Sequence, residues 1–168
     1  MKQPDPLDEL KLLVRSRHPL ITIETVEEPR AIELVKRLCN DLDCAHFQWT
    51  STEGMRRLRP FDSHAAEGTV AARGALGYTL NSIYPGLFVF LDLLPQLQNA
   101  ADQRALREVV ERAATLKQTI VLIEQKVELQ PALERLAVPF DLAFPDETEI
   151  RRLVTETAKE AAQQVQLE

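Results

Sequence analysis

Two carboxylates close apolar runs that read as buried strands. Asp92 ends Leu87 to Asp92 (LFVFLD), and Glu124 ends Thr119 to Glu124 (TIVLIE). Ligands of α/β proteins bind at the carboxyl edge of a parallel sheet, so this pair could hold a divalent ion or a small ligand. No third ligand suggests itself, and the metal-dependent or ligand-binding site at Asp92 and Glu124 stands as the alternative reading. A second constellation, Cys39, Cys44 and His46, has the spacing C-x4-C-x-H. A closed zinc site needs a fourth ligand and tighter spacing. The three therefore read as packing, with Cys39 on a buried helix face and Cys44 at a strand entrance. His18 at an element boundary, His46 in a strand and His64 in a loop have no Ser or Cys partner at a nucleophile's spacing. The remaining cluster is Arg56-Arg57-x-Arg59. It is either a solvated loop or a contact for an acidic partner, a neighbouring subunit or a phosphate, all of which guanidinium groups can bind bidentately.

Phosphate chemistry of the usual kind is excluded by counting. There are five glycines (Gly54, Gly68, Gly74, Gly77 and Gly86), and none precedes a lysine. No G-x-x-x-x-G-K-[ST] loop exists in the chain. A formal net charge of −6 would repel nucleic acid and anionic membrane. Two cysteines are too few for a disulfide framework and suit a reducing cytoplasm. Met1 to Asp8 is polar and proline-punctuated, not a signal region, and the longest apolar run, Leu87 to Leu91, is too short for a bilayer. With 168 residues, 45% of them hydrophobic, the expectation is one domain over 1–166. The terminal Leu167-Glu168 reads as a vector-derived scar.

The elements that must position these residues follow from periodicity. Asp5 to Arg17 is predicted to be an amphipathic helix, and Leu20 to Thr25 a β-branched strand. Pro29 suits the first turn of a helix whose stripe is Ala31, Leu34, Val35, Leu38 and Leu42. Ala45 to Thr50 is a strand, Ser51 to Thr69 a loop, and Val70 to Ser82 a helix. The strands ending at Asp92 and Glu124 are apolar on both faces and therefore central. Between them, Asp102 to Lys117 is a helix buried along Leu106, Val109, Val110 and Ala113. Pro131 to Leu136 is a short helix and Pro139 to Phe144 a last strand. Asp146 and Glu149 form a capping box for a final helix with Ile150, Leu153, Val154 and Ala158 facing inward. Alternation of this kind predicts a three-layer α/β fold with a five-stranded parallel sheet.

The order of these motifs resembles AAA ATPases. Leu87 to Asp92 is similar to the strand whose terminal Asp holds Mg²⁺ through water. Thr119 to Glu124 stands where the sensor strand follows, and Pro131-Ala132-Leu133-Glu134-Arg135 with Val138 to Asp146 resembles the run after it. Pro19 to Thr25 with Glu27, Glu28, Arg30 and Ala31, then Gln48-Trp49-Thr50 with Glu53-Gly54, resembles the N-terminal part of a cyanobacterial and plastid AAA family of the Ycf type. This resemblance implies strand order 5-1-4-3-2, counted along the chain, and a later complete ATPase module in the parent protein. It also implies a cytoplasmic setting, or the chloroplast stroma in a plastid.

The junction where a phosphate loop would lie is Thr25-Val26-Glu27-Glu28-Pro29. It lacks glycine and lysine, and Pro29 removes an N–H donor. Glu27 and Glu28 place carboxylates at the positive end of a helix dipole and would repel a triphosphate. Leu93 follows Asp92 where an active ATPase usually has Glu, so Asp92 and Glu124 read as vestigial. The expectation is a non-catalytic domain without a cofactor. It would serve interaction or assembly with the ATPase module of its parent, in a homo-oligomer that remodels or regulates a protein partner in photosynthesis or carbon uptake.

Overall fold

The β-branched runs and apolar helix stripes assemble in chain order in a computed structural model, which describes residues 5–142 together with 150, 151, 154, 155 and 158. Helix α1 (Pro6–Arg15) starts at Asp5, whose carboxylate accepts from the Leu7 N–H at 2.9 Å. Strand β1 (Leu20–Glu24) leads into α2 (Glu28–Leu42), and β2 (Ala45–Thr50) follows. Next come β3 (Gly54–Arg59), α3 (Ala72–Asn81) and β4 (Gly86–Leu91). Helix α4 (Ala100–Leu116) is capped by the Asn99 side chain and precedes β5 (Gln118–Glu124). The short α5 (Pro131–Glu134) and β6 (Ala137–Phe140) complete the described elements.

The sheet has six strands in the order β3-β2-β4-β5-β1-β6. All neighbours are parallel except β3, which runs antiparallel to β2. The expected five-stranded, all-parallel sheet is thus corrected to a mixed one. Its five parallel strands keep their expected relative order, and β3 is added outside β2. Every residue of β4 and β5 is buried, because helices cover both faces. On one face Phe47, Trp49, Phe88, Phe90, Ile120 and Leu122 meet α3 and α4 through Leu76, Leu106, Val109 and Val110. On the other, Ile21, Ile23, Val89, Val121 and Ile123 meet α1 and α2 through Leu10, Val35 and Leu38. Phe47, Trp49, Phe88 and Phe90 gather on the first face, where Phe47 and Phe88 stack at 4.4 Å.

Ser51 to Thr69 is not simply a loop. Strand β3 lies inside it, made from Met55-Arg56-Arg57-Leu58-Arg59, a run too cationic to read as a strand. The hairpin turns at Gly54, whose φ of +87° favours glycine. The chain after β3 folds back along it, with the N–H groups of Ser63 and Ala66 donating to the carbonyls of Arg57 and Met55. An edge that would otherwise offer open pairing groups is covered by its own sequence.

The last strand is Ala137–Phe140, earlier than the expected Pro139 to Phe144, because its register is set by pairing Leu20 with Ala137 and Ile23 with Phe140. The capping box at Asp146 and Glu149, and the inward-facing Leu153, lie outside the described residues. Ile150, Val154 and Ala158 are exposed instead of inward, so their apolar character is not spent on this core.

Candidate functional site

Parallel strands bring Thr25, Asp92 and Glu124 to one edge of the sheet, with Glu24 in register with Glu124. Glu124 is only 1% exposed. Its Oε1 accepts from the Leu93 N–H at 2.9 Å and the Leu94 N–H at 3.1 Å, fastening the turn after β4. Its Oε2 is buried with no hydrogen-bond partner among the described residues. Burial pushes the Glu124 carboxyl up to about 7; the two N–H bonds oppose this and the nearby charge of Asp92 adds to it. Asp92 sits in the left-handed region at φ +50°, and its N–H donates to the Ile123 carbonyl. The two carboxylates that sequence places at strand ends are brought together here. Among the described residues no three His, Cys, Asp or Glu side chains are grouped to hold a metal ion.

Several groups of the β1–α2 junction pair with one another. Thr25 Oγ1 accepts from the Glu27 N–H at 2.9 Å, and the Glu27 carboxylate accepts from Arg30 at 3.0 Å. The Glu27 carbonyl takes the N–H groups of Arg30 and Ala31, while Pro29 has none to offer. Glu28 stands at the first helical position, where its charge complements the dipole. Glu24 Oε2 receives the Val127 N–H at 2.8 Å and ties down the segment after β5.

The arginine cluster divides by its strand. Arg56 binds Asp62 through two bonds of 2.8 Å and reaches Glu53 at 3.1 Å. Arg59 binds Asp43 at 2.6 Å, Asn40 at 3.1 Å and the Cys44 carbonyl at 3.1 Å. Arg57 lies over the Phe61 ring at 4.1 Å. Two of the three guanidinium groups therefore brace the β2–β3 edge, and Arg57 alone is left with no carboxylate partner among the described residues.

Cys39 is buried at the end of α2, and Cys44 is half-buried ahead of β2. The neighbouring Cys44 thiol and burial hold the Cys39 thiol up, while the Cys39 thiol, with help from Arg59, holds Cys44 down. His46 is 2% exposed with Nε2 unpartnered, and burial followed by the charge of Lys36 pushes it down to about 4. The His18 carbonyl accepts from Thr119 Oγ1 and its N–H donates to the Leu13 carbonyl, and His64 is exposed in the cover of β3.

Similarity to known proteins decides the family. Residues 6–142 match the model of the SpoVK-like AAA ATPase, N-terminal domain. The chain belongs to this family. It is similar to an "Uncharacterized AAA domain-containing protein ycf46" of Pyropia yezoensis, with 27% identity over 155 residues, covering 90% of this chain and 31% of that protein. A protein of the same description from Trieres chinensis is 26% identical over 149 residues, covering 88% of this chain and 30% of that one. The chain thus spans about three-tenths of the length of these relatives.

In this SpoVK-like N-terminal domain an opening lies at the other edge of the sheet. A cleft of about 600 Å³ forms where β2, β4 and β5 begin, at Ala45, Gly86 and Gln118. Its wall includes Val14, Leu42, Phe47, Tyr84 and Leu87. Gly86 is required there: its φ is +148°, and a Cβ would lie 2.5 Å from the Ala45 carbonyl oxygen. Gln118 Nε2 donates to the carbonyls of Ser82 and Tyr84, fixing the loop that carries Tyr84. Sequence reasoning found Arg57 but missed Arg15, Arg17 and Lys117, which also line this cleft. The available signal was that α1, α2 and α4 all run opposite to the strands and so end at one edge.

Proposed function

We propose that this domain is a non-catalytic interaction or assembly module of an AAA ATPase that remodels or regulates a partner protein. One observation carries the reading. At the β1–α2 junction, where nucleotide phosphates would need open N–H donors, the Glu27 N–H is taken by Thr25 Oγ1, the Arg30 and Ala31 N–H groups by the Glu27 carbonyl, and Pro29 has none. Glu27 and Glu28 add negative charge at that point, and Asp92 has Leu93 and not a second carboxylate after it. The ATPase activity then belongs to a separate module of the parent protein, which also forms the homo-oligomer. A setting in photosynthesis or carbon uptake is part of the proposal and rests on the Ycf-type resemblance.

Calorimetry of the chain with ATP, ADP and Mg²⁺ is expected to show no saturable heat at micromolar concentrations. A tight site, or hydrolysis abolished by Asp92→Ala, would overturn the reading. Mixing with a separately produced ATPase module is expected to give a complex and altered turnover; no association would count against assembly. The second reading, a ligand or cation at Asp92 and Glu124, is favoured by the unpartnered Glu124 Oε2. It requires Mg²⁺ or Mn²⁺ binding that Glu124→Gln removes.

A further inference from the structure

We propose that the cleft at the amino edge of the sheet docks an acidic, apolar peptide segment of a partner protein. The proposal rests on the reading of the domain as an interaction module and names the surface that module would use.

The cleft's charge is opposite to that of the molecule around it. The chain carries −6 overall, yet Arg15, Arg17, Arg57 and Lys117 line this one opening. Its single carboxylate, Asp43, is already bound to Arg59. Among the described residues, none of the four cations has a carboxylate partner. Cations near the ends of α1 and α4 complement the carbonyl ends of those helices. Arg57 comes from a strand with no helix end behind it, and its stack on Phe61 restrains the guanidinium in advance of any partner. Charge complementarity therefore selects an anionic occupant, through contacts of short range because the remaining surface is acidic.

The floor selects apolar groups as well. Val14, Leu42, Phe47 and Leu87 form a wall of the kind that takes aliphatic or aromatic side chains. Exposed apolar side chains also adjoin the lining residues in sequence or contact. Phe61 is 59% exposed beneath Arg57, and Tyr84 and its neighbour Ile83, in the loop before β4, are 55% and 71% exposed. A small organic anion would fill the cleft and leave these side chains uncovered. A peptide with carboxylates among apolar side chains covers both, and aromatic and arginine anchors of this type dominate binding energy at protein interfaces.

The test begins with selection of random displayed peptides on the full chain. Enriched peptides should combine Asp or Glu with aromatic or aliphatic residues. A labelled synthetic copy should bind less tightly as salt rises. Arg17→Glu and Lys117→Glu should each weaken it at least about tenfold, or ~1.4 kcal/mol. Tyr84→Ser should weaken it too. Lys126→Glu makes the same charge change at the carboxyl edge, where Lys126 is exposed beside Glu128, and should leave binding unchanged. All four positions are exposed, and circular dichroism with thermal melts confirms that each variant is folded. No enrichment, enriched peptides without acidic residues, or binding indifferent to the two reversals overturns the proposal. So does dodecanoate binding with no peptide binding, or self-association in sedimentation velocity that the same reversals abolish. Peptide failure without nucleotide heat removes this surface and leaves the assembly reading in place. Nucleotide binding removes that reading whatever the peptides do.

Discussion

Glu124 and His46 are buried titratable groups pulled in opposite directions. The folded state raises Glu124 from an ordinary 4.5 to about 7, so its stabilising contribution is complete below 4.5 and lost as pH rises through about 7. It lowers His46 from 6.5 to about 4, so that contribution is complete above 6.5 and lost as pH falls toward 4. Between pH 4.5 and 6.5 the two slopes oppose each other, each amounting to about 2 kcal/mol. Relative to the native protein, Glu124→Gln is expected to gain stability with rising pH across that window, and His46→Gln to lose it. Urea unfolding at several pH values measures both. Parallel curves for all three proteins would show that neither group is held as described. The residue identities were legible in sequence; their burial was not, because Glu124 meets Leu93 and Leu94 only after two distant strands pair.

At the scale of the element, β3 is the part that sequence concealed. Its arginines break the alternation of a half-buried strand, and what holds it lies further along the chain. Thr69 Oγ1 accepts from the Met55 N–H at 2.8 Å and donates to the Ala66 carbonyl at 2.5 Å. The Thr69 carbonyl receives the Trp49 indole N–H at 2.6 Å. Thr69→Val keeps the shape and that last bond while orphaning the buried Met55 N–H, at an expected cost of roughly 1–3 kcal/mol. Hydrogen exchange at Met55 should quicken with it. An unchanged exchange rate would mean the fold-back does not secure the strand. By contrast, the strands ending at Asp92 and Glu124 were plain in sequence, since continuous apolar runs of that length report burial on both faces.

For the whole molecule, the two edges of the sheet differ in what they leave open. At the carboxyl edge Thr25 and Glu124 fasten the neighbouring turns, and the amino edge holds the cleft. A ligand with a dissociation constant one-hundredth of its concentration stabilises the folded state by about 2.7 kcal/mol. That would raise the melting temperature of a domain this size by roughly 5–10 °C. On the proposed non-catalytic reading, the expected result with millimolar ATP and Mg²⁺ is a shift below about 1 °C. A rise of several degrees would put nucleotide on the domain.

Sequence by itself determined the alternation of strands and helices, the two central strands, and the lack of glycine and lysine between Thr25 and Ala31. Each is a property of a short stretch of chain, written in its own periodicity or composition. Tertiary structure alone decided that β3 joins the sheet, that Glu124 is a buried fastening for the turn after β4, and that Arg15, Arg17, Arg57 and Lys117 share one cleft. Those outcomes depend on groups far apart in the chain. They come together only when helices packed on both faces of a parallel sheet bring their ends to the same edge.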